Sequence, residues 1–168
     1  PSPITVTSTA DAPDWIPGVG NCDDGTGRCT LRAAIMEANA TAGAATIILP
    51  AGTYAISIAG TGEDAAETGD LDITDDLTIT GAGADTTIID GASLDRVFEV
   101  HPGVTAEILN VTMSGGAGGA EAGGIVNRST LTLTRSTVSG NSGSIGGGIR
   151  NFGRLALLRS TVSGNTSP

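Results

Sequence analysis

The chain is built from short apolar and β-branched runs separated by corners of Gly, Asn, Asp and Pro. Ile4-Thr5-Val6-Thr7 alternates as a strand does. Further runs follow at Thr46-Ile47-Ile48-Leu49, at Tyr54-Ala55-Ile56-Ser57-Ile58, and at Asp70-Leu71-Asp72-Ile73-Thr74 with Leu77-Thr78-Ile79-Thr80. Thr87-Ile88-Ile89, Val97-Phe98-Glu99-Val100 and the stretch from Ala106 to Met113 continue the pattern. Only one segment predicts a helix, about Leu31 to Asn39. There Leu31, Ala34, Ile35 and Ala38 share a face, and Thr30 can cap the first turn.

Near the C-terminus the pattern repeats outright. Gly124 to Asn141 returns 24 residues later as Gly148 to Asn165, with 12 of 18 positions identical, among them the apolar Ile125, Leu131, Leu133 and Val138. A period in the twenties made of short strands and Gly/Asn corners is that of a solenoid, in which no repeat buries its own apolar side. Successive parallel strands of one sheet are joined by right-handed crossovers. The expected fold is therefore all-β, a right-handed parallel β-helix of about five coils. The short N-terminal helix is expected to cover one open end and shield the first coil from edge pairing. The 168 residues form a single β-solenoid domain: 1–45 hold the N-terminal strand, a disulfide loop and the capping helix, and 46–168 hold the coils.

Composition narrows the picture. Trp15, Tyr54, Phe98 and Phe152 are the only aromatic residues, so the core must be made of Ile, Leu, Val and Ala. The net charge is −10, and all 18 acids precede residue 122, whereas five of the eight Arg (Arg128, Arg135, Arg150, Arg154, Arg159) follow it. An acidic head and a basic tail can steer association with another copy or an anionic partner, and nucleic acid is a poor partner for so acidic a chain. Cys22 and Cys29 bracket a six-residue polar loop, and a local disulfide is favoured because two Cys without a nearby His cannot complete a zinc site. A disulfide implies an extracellular or cell-surface location. The start at Pro1 predicts removal of a signal peptide, with a fragment of a longer β-helix as the alternative. No apolar run approaches the ~20 residues of a transmembrane segment.

Cys29-Thr30-Leu31-Arg32-Ala33-Ala34-Ile35-Met36-Glu37-Ala38-Asn39 resembles the Cys-Ser-Leu-Arg-Glu-Ala-Ile motif of the CSLREA-domain family of exported bacterial proteins. The likeness extends through Gly69-Asp70-Leu71-Asp72-Ile73, Gly81-Ala82-Gly83-Ala84, Ile89-Asp90-Gly91 and the two repeated coils. The resemblance implies a pectate-lyase-like right-handed β-helix, usually without an assigned activity. Ala33 stands where the motif has Glu, which removes the reciprocal half of a capping box and leaves Thr30 as a one-way cap.

Leu49-Pro50-Ala51-Gly52-Thr53-Tyr54 resembles a turn of β-helical polysaccharide enzymes, so a lyase or hydrolase must be weighed. Such lyases need Ca²⁺ or another cation on the substrate's uronate and a base to remove a sugar proton. Asp70 and Asp72 share a strand face, with Asp75 and Asp76 at the next turn and Glu63, Asp64 and Glu67 in an acidic insertion; a solvated face is favoured over a metal site. No Arg lies close in sequence to these acids, and His101, before Pro102-Gly103, reads as an exposed corner. Asn127 with Asn151, and Asn141 with Asn165, recur at the repeat period and predict stacked amide ladders. Glycosylation sequons begin at Asn39, Asn110, Asn127 and Asn165, a pattern that arises easily by chance in so Thr/Ser-rich a chain.

Arg135 and Arg159 also recur, placing like charges on rungs ~4.8 Å apart, which is unfavourable unless an anion or acidic side chain sits nearby. The leading expectation is a non-enzymatic extracellular structural protein without catalytic residues, cofactor or metal. Its copies would meet head to tail in a fibre or surface array, through Arg135, Arg159 and an apolar layer of Ile149, Leu155, Leu157 and Val162 at the tail. The head would offer Ile4 and Val6, or Leu31 and Ile35. The alternatives are a secreted polysaccharide lyase or hydrolase, and an adhesin that binds cell-surface or anionic glycans.

Overall fold

A computed structural model describes residues 2–167. After β1 (Ile4–Thr5) and α1 (Leu31–Ala40), the chain winds through turns of three strands each. The first turn holds β2 (Ala45–Leu49), β3 (Gly52–Ala55) and β4 (Leu71–Ile73); the second holds β5 (Leu77–Gly81), β6 (Thr87–Asp90) and β7 (Phe98–Val100). The third holds β8 (Thr105–Leu109), β9 (Thr112–Ser114) and β10 (Ile125–Asn127), and the fourth β11 (Thr130–Thr134), β12 (Thr137–Ser139) and β13 (Ile149–Asn151). A fifth turn has two described sides, β14 (Arg154–Leu158) and β15 (Thr161–Ser163). Like sides stack into three sheets, β1-β2-β5-β8-β11-β14, β3-β6-β9-β12-β15 and β4-β7-β10-β13, and all the pairings are parallel. The β-solenoid and its short helix match the expected architecture. Leu71–Ile73 pairs in register with Phe98–Val100 and closes the first turn.

Parallel register converts the alternation in the sequence into columns. Ile47, Ile79, Ile108, Leu133 and Leu157 form one column, and Tyr54, Ile89, Met113, Val138 and Val162 form another. Leu71, Phe98, Ile125 and Ile149 form a third. Asn110, Arg135 and Arg159 occupy the same corner, after β8, β11 and β14, each with positive φ (57°, 47° and 53°). That conformation is uncommon outside Gly and Asn and turns the chain sharply between two sides of the solenoid.

The head of the solenoid is closed by several devices. β1 pairs with the edge of β2, Thr9 lies against Gly52 of β3, and α1 packs on β2 and β4. Thr30 caps α1, accepting from Ala33 N at 3.0 Å, and its own hydroxyl donates to Ala12 O. The expected disulfide is present, with Cys22 and Cys29 Cα atoms 5.1 Å apart. One expectation about the helix is corrected: Leu31 to Ala38 are buried on every side, not along one stripe. The polar members are tolerated because they are fully partnered. Arg32 grips Asp11 (2.6 and 3.2 Å) and donates to Ala66 O and Gly69 O, while the Asp11 carboxylate also accepts from Ser57 N and Ile58 N. Glu37 accepts from Gly18 N and Gly20 N at 2.6 Å each and so fixes the Pro/Gly loop over the helix.

The tail is open. Leu133 and Val138 are 0% exposed, whereas their equivalents one turn later, Leu157 and Val162, are each 44% exposed. Leu133→Ala should therefore destabilise the protein by ~2–5 kcal/mol, and Leu157→Ala by about 1 kcal/mol or less. Denaturant melts of the two variants measure the difference; equal losses would mean that the last turn is covered in solution.

Candidate functional site

The most chemically loaded surface lies on the sheet made by β4, β7, β10 and β13. In register across it, Asp72 stands beside Glu99, Glu99 beside Val126, and Val126 beside Arg150. Arg96, just before β7, reaches back and up at once: Nε lies 3.0 Å from Asp70 Oδ2, and Nη1 lies 2.8 Å from both Glu99 Oε2 and Glu121 Oε2. The Asp70 contact is off the N–H line, so it is coulombic rather than a hydrogen bond. Arg128 binds Glu99 through Nε and Glu121 through Nη2, and Arg150 Nη1 donates to Glu121 Oε1 at 2.9 Å. Phe152 lies beneath Arg128 and Arg150, its ring centroid 5.2 and 4.5 Å from their guanidinium carbons.

Three sequence expectations change here. Asp70 and Asp72 are 3% and 1% exposed, so they are not a solvated face. An Arg does meet them, because stacking sets Arg96 on Asp70 across 26 residues of sequence. His101 is no free corner: its Nε2 lies 2.9 Å from Asp72 Oδ1, and Asp72 Oδ2 accepts from Ala66 N. The basic tail is also partly neutralised, since Arg128 and Arg150 are paired, whereas Arg135, Arg154 and Arg159 make no ion pair among the described residues. Arg135 Nε instead donates to Asn110 Oδ1 at 2.9 Å, which eases the like-charge corner without an anion.

Two groups of side chains have the spacing to hold a cation: Asp70, Asp72 and Glu99, and Asp64, Asp72 and His101. In the first, Arg96 already occupies the cation's place against Asp70 and Glu99. Asp75 and Asp76 join neither group; Asp76 Oδ1 accepts from Thr105 N, and Asp75 Oδ1 accepts from Asp76 N.

The amide ladders form. Asn127 Nδ2 donates to Asn151 Oδ1 at 2.6 Å, and Asn141 Nδ2 to Asn165 Oδ1 at 3.0 Å. Asn141 also ties its neighbours, accepting from Gly116 N and donating to Met113 O. The sequon amides are similarly used: Asn39 bonds Asp72 O and Thr74 N, and Asn127 is fully buried.

In the last described turn Ile149, Leu155, Leu157 and Val162, with glycines and Asn165, line a concavity of about 480 Å³. At the head, the residues expected to meet it are not available. Val6, Leu31 and Ile35 are 1%, 4% and 0% exposed in the chain's own core, and Ile4 is half-buried against it, because β1 and α1 are used to close the first turn.

Comparison with protein families, with curated proteins and with solved structures found no match to this chain.

The buried carboxylates make stability depend on pH. Burial, reinforced by the Asp72 charge and opposed by Arg96, pushes the Asp70 carboxyl up to about 8; burial, opposed by the His101 hydrogen bond, pushes Asp72 up to about 6. The folded state holds these protons more tightly than the unfolded chain, so this contribution to stability is fully present below about pH 4. It is lost as pH rises to about 8. In chelator-containing buffer the melting temperature should be higher at pH 5 than at pH 8. Asp70→Asn, which leaves Asp72, Asp95 and Glu99 facing Arg96, should raise it at pH 8 and flatten the profile. A melting temperature that rises from pH 5 to pH 8 would refute the assignment.

Proposed function

We propose that this chain is a non-enzymatic structural β-solenoid of the cell exterior, whose copies associate end to end. The observation that carries the reading is the stack itself: three parallel sheets run in register from turn to turn, and Arg96, Arg128 and Arg150 are tied to Glu99 and Glu121 across one face. The disulfide is compatible with an oxidising compartment.

The acidic sheet face supports a structural role over catalysis. Asp70 and Asp72 are sealed from substrate, and Arg96 is held by carboxylates on three successive turns rather than free to act as a base. The charge network then reads as a clamp that fixes the register of the turns.

Light scattering of the purified 168-residue chain over a concentration series tests the reading. Mass should grow with concentration, and Leu157→Asp should abolish the growth while leaving the circular dichroism spectrum intact. A wild type that stays monomeric throughout would overturn it. Arg135→Glu with Arg159→Glu should slow assembly and weaken its salt dependence, since charged rims act mainly on the association rate. Pectate and alginate with Ca²⁺ should yield no unsaturated product; turnover lost in Asp72→Ala would establish an enzyme instead.

A further inference from the structure

We infer that Asp64, Asp72 and His101 form a binding site for a zinc-class divalent cation, which ties the acidic insertion to the first two turns of the solenoid. The inference is independent of the end-to-end reading and uses no residue of the last turn.

The three side chains come from separate parts of the chain. Asp72 belongs to β4, His101 follows β7 on the next turn, and Asp64 stands in the insertion between β3 and β4. One donor atom from each lies within 4.8 Å of the others. Asp72 Oδ1 and His101 Nε2 are 2.9 Å apart, close to the separation of two ligand atoms that each lie ~2.1 Å from a shared ion. They supply one edge of a coordination shell, and the exposed Asp64 side chain has the freedom to close on it.

The framework of the site is fixed. Asp72 Oδ2 accepts from Ala66 N, Asp72 O accepts from Asn39 Nδ2 at 2.8 Å, and His101 N donates to Ile73 O at 3.0 Å. In the insertion, the Glu63 carboxylate accepts from Ala65 N and Thr68 N at 2.8 Å each, and Ala66 is buried with a φ of 58°. Ligands oriented by their neighbours in this way lose little freedom when an ion arrives.

The electrostatics call for a cation. An oxygen of Asp70 lies within 4.8 Å of Asp72, and the buried Asp70 Oδ2 accepts no hydrogen bond among the described residues; buried Asp95 Oδ2 accepts none either. Among the described residues Arg96 alone pairs with these two acids, and it is shared with Glu99 and Glu121. A protonated imidazole would return a single charge to Asp72. A dication brings two and reaches Asp64 as well.

Donor chemistry selects the ion. One imidazole nitrogen with two carboxylates suits a first-row metal, and Zn²⁺ stands above Mn²⁺ in intrinsic affinity. Ca²⁺ takes about six to eight oxygen ligands and gains little from the nitrogen. Asp64 also borders an open cleft of about 320 Å³ with Met36, Asn39 and Thr74, through which the ion and its waters reach the site.

The test uses full-length protein without an affinity tag, stripped with chelator and returned to metal-free buffer. His101 is the only histidine of the chain, so its ring resonances report this site alone. Titration with zinc chloride at neutral pH should shift them and saturate at one ion per chain. Zinc at about 100 times its dissociation constant should raise the melting temperature by roughly 5–10 °C. His101→Gln should weaken binding at least about tenfold, as should Asp64→Asn, an exposed loop position whose change leaves the core intact. Calcium chloride at the same concentration should leave the ring unmoved. If the ring does not respond to a large molar excess of zinc, or if both variants bind zinc as tightly as wild type, the assignment is wrong. Calcium binding tighter than zinc binding, lost in Asp64→Asn and kept in His101→Gln, would give the cation to the carboxylates alone and overturn the inference.

Discussion

In this protein a side chain is buried by the turn that follows it, and every other feature depends on that constraint. Leu133 and Leu157 have the same identity, register and strand environment, yet one is sealed and the other nearly half open. A repeat of short strands gains its apolar stabilisation only by stacking, so the first turn carries an unmet demand. The head meets it with its own chain. β1 takes one sheet edge, the segment around Thr9 and Asp11 runs along another, and α1 covers the core with Arg32 and Glu37 tying it to the loops around it.

The same stacking rewrites the electrostatics. Along the sequence the acids and the C-terminal arginines are segregated; in space Glu99 and Glu121 lie between Arg96, Arg128 and Arg150. Three turns are thereby cross-linked on one face, in part by pairs 25 to 29 residues apart in sequence. The cost falls on Asp70 and Asp72, which are too deep to stay charged easily. Proton uptake there relieves a site where carboxylates outnumber guanidiniums.

Much of this was legible from the pattern alone. The 24-residue repeat, the alternation in strands such as Leu77–Gly81, the Thr30 cap, the disulfide and the asparagine ladders all follow from local spacing. What the sequence concealed is the register of the earlier turns. Ile47 pairs with Ile79 and Ile79 with Ile108, steps longer than the later 24, because insertions at the corners lengthen a turn without moving its strands. Without that register Asp70 could not be matched to Arg96, nor Asp72 to His101, and both acids looked solvated. Arg32 and Glu37 were hidden for another reason. A charged residue on a short helix reads as its solvent face unless the loops that will wrap it, here 7–20, can be foreseen.

The closed head also constrains what an end-to-end junction can be. Continuation of the three sheets would require a partner offering parallel strand edges, and among the described residues the head offers little, because β1, the Thr9 segment and α1 occupy them. On the end-to-end reading, a junction at the head would be made by side chains rather than by backbone ladders. Such a contact lacks the hydrogen-bonded continuity that joins one turn to the next and depends on a few large apolar groups presented rigidly. It follows that assembly, if built this way, is separable from folding: the turns are fixed by register and charge within each copy, and the join between copies can be made or broken without unwinding either.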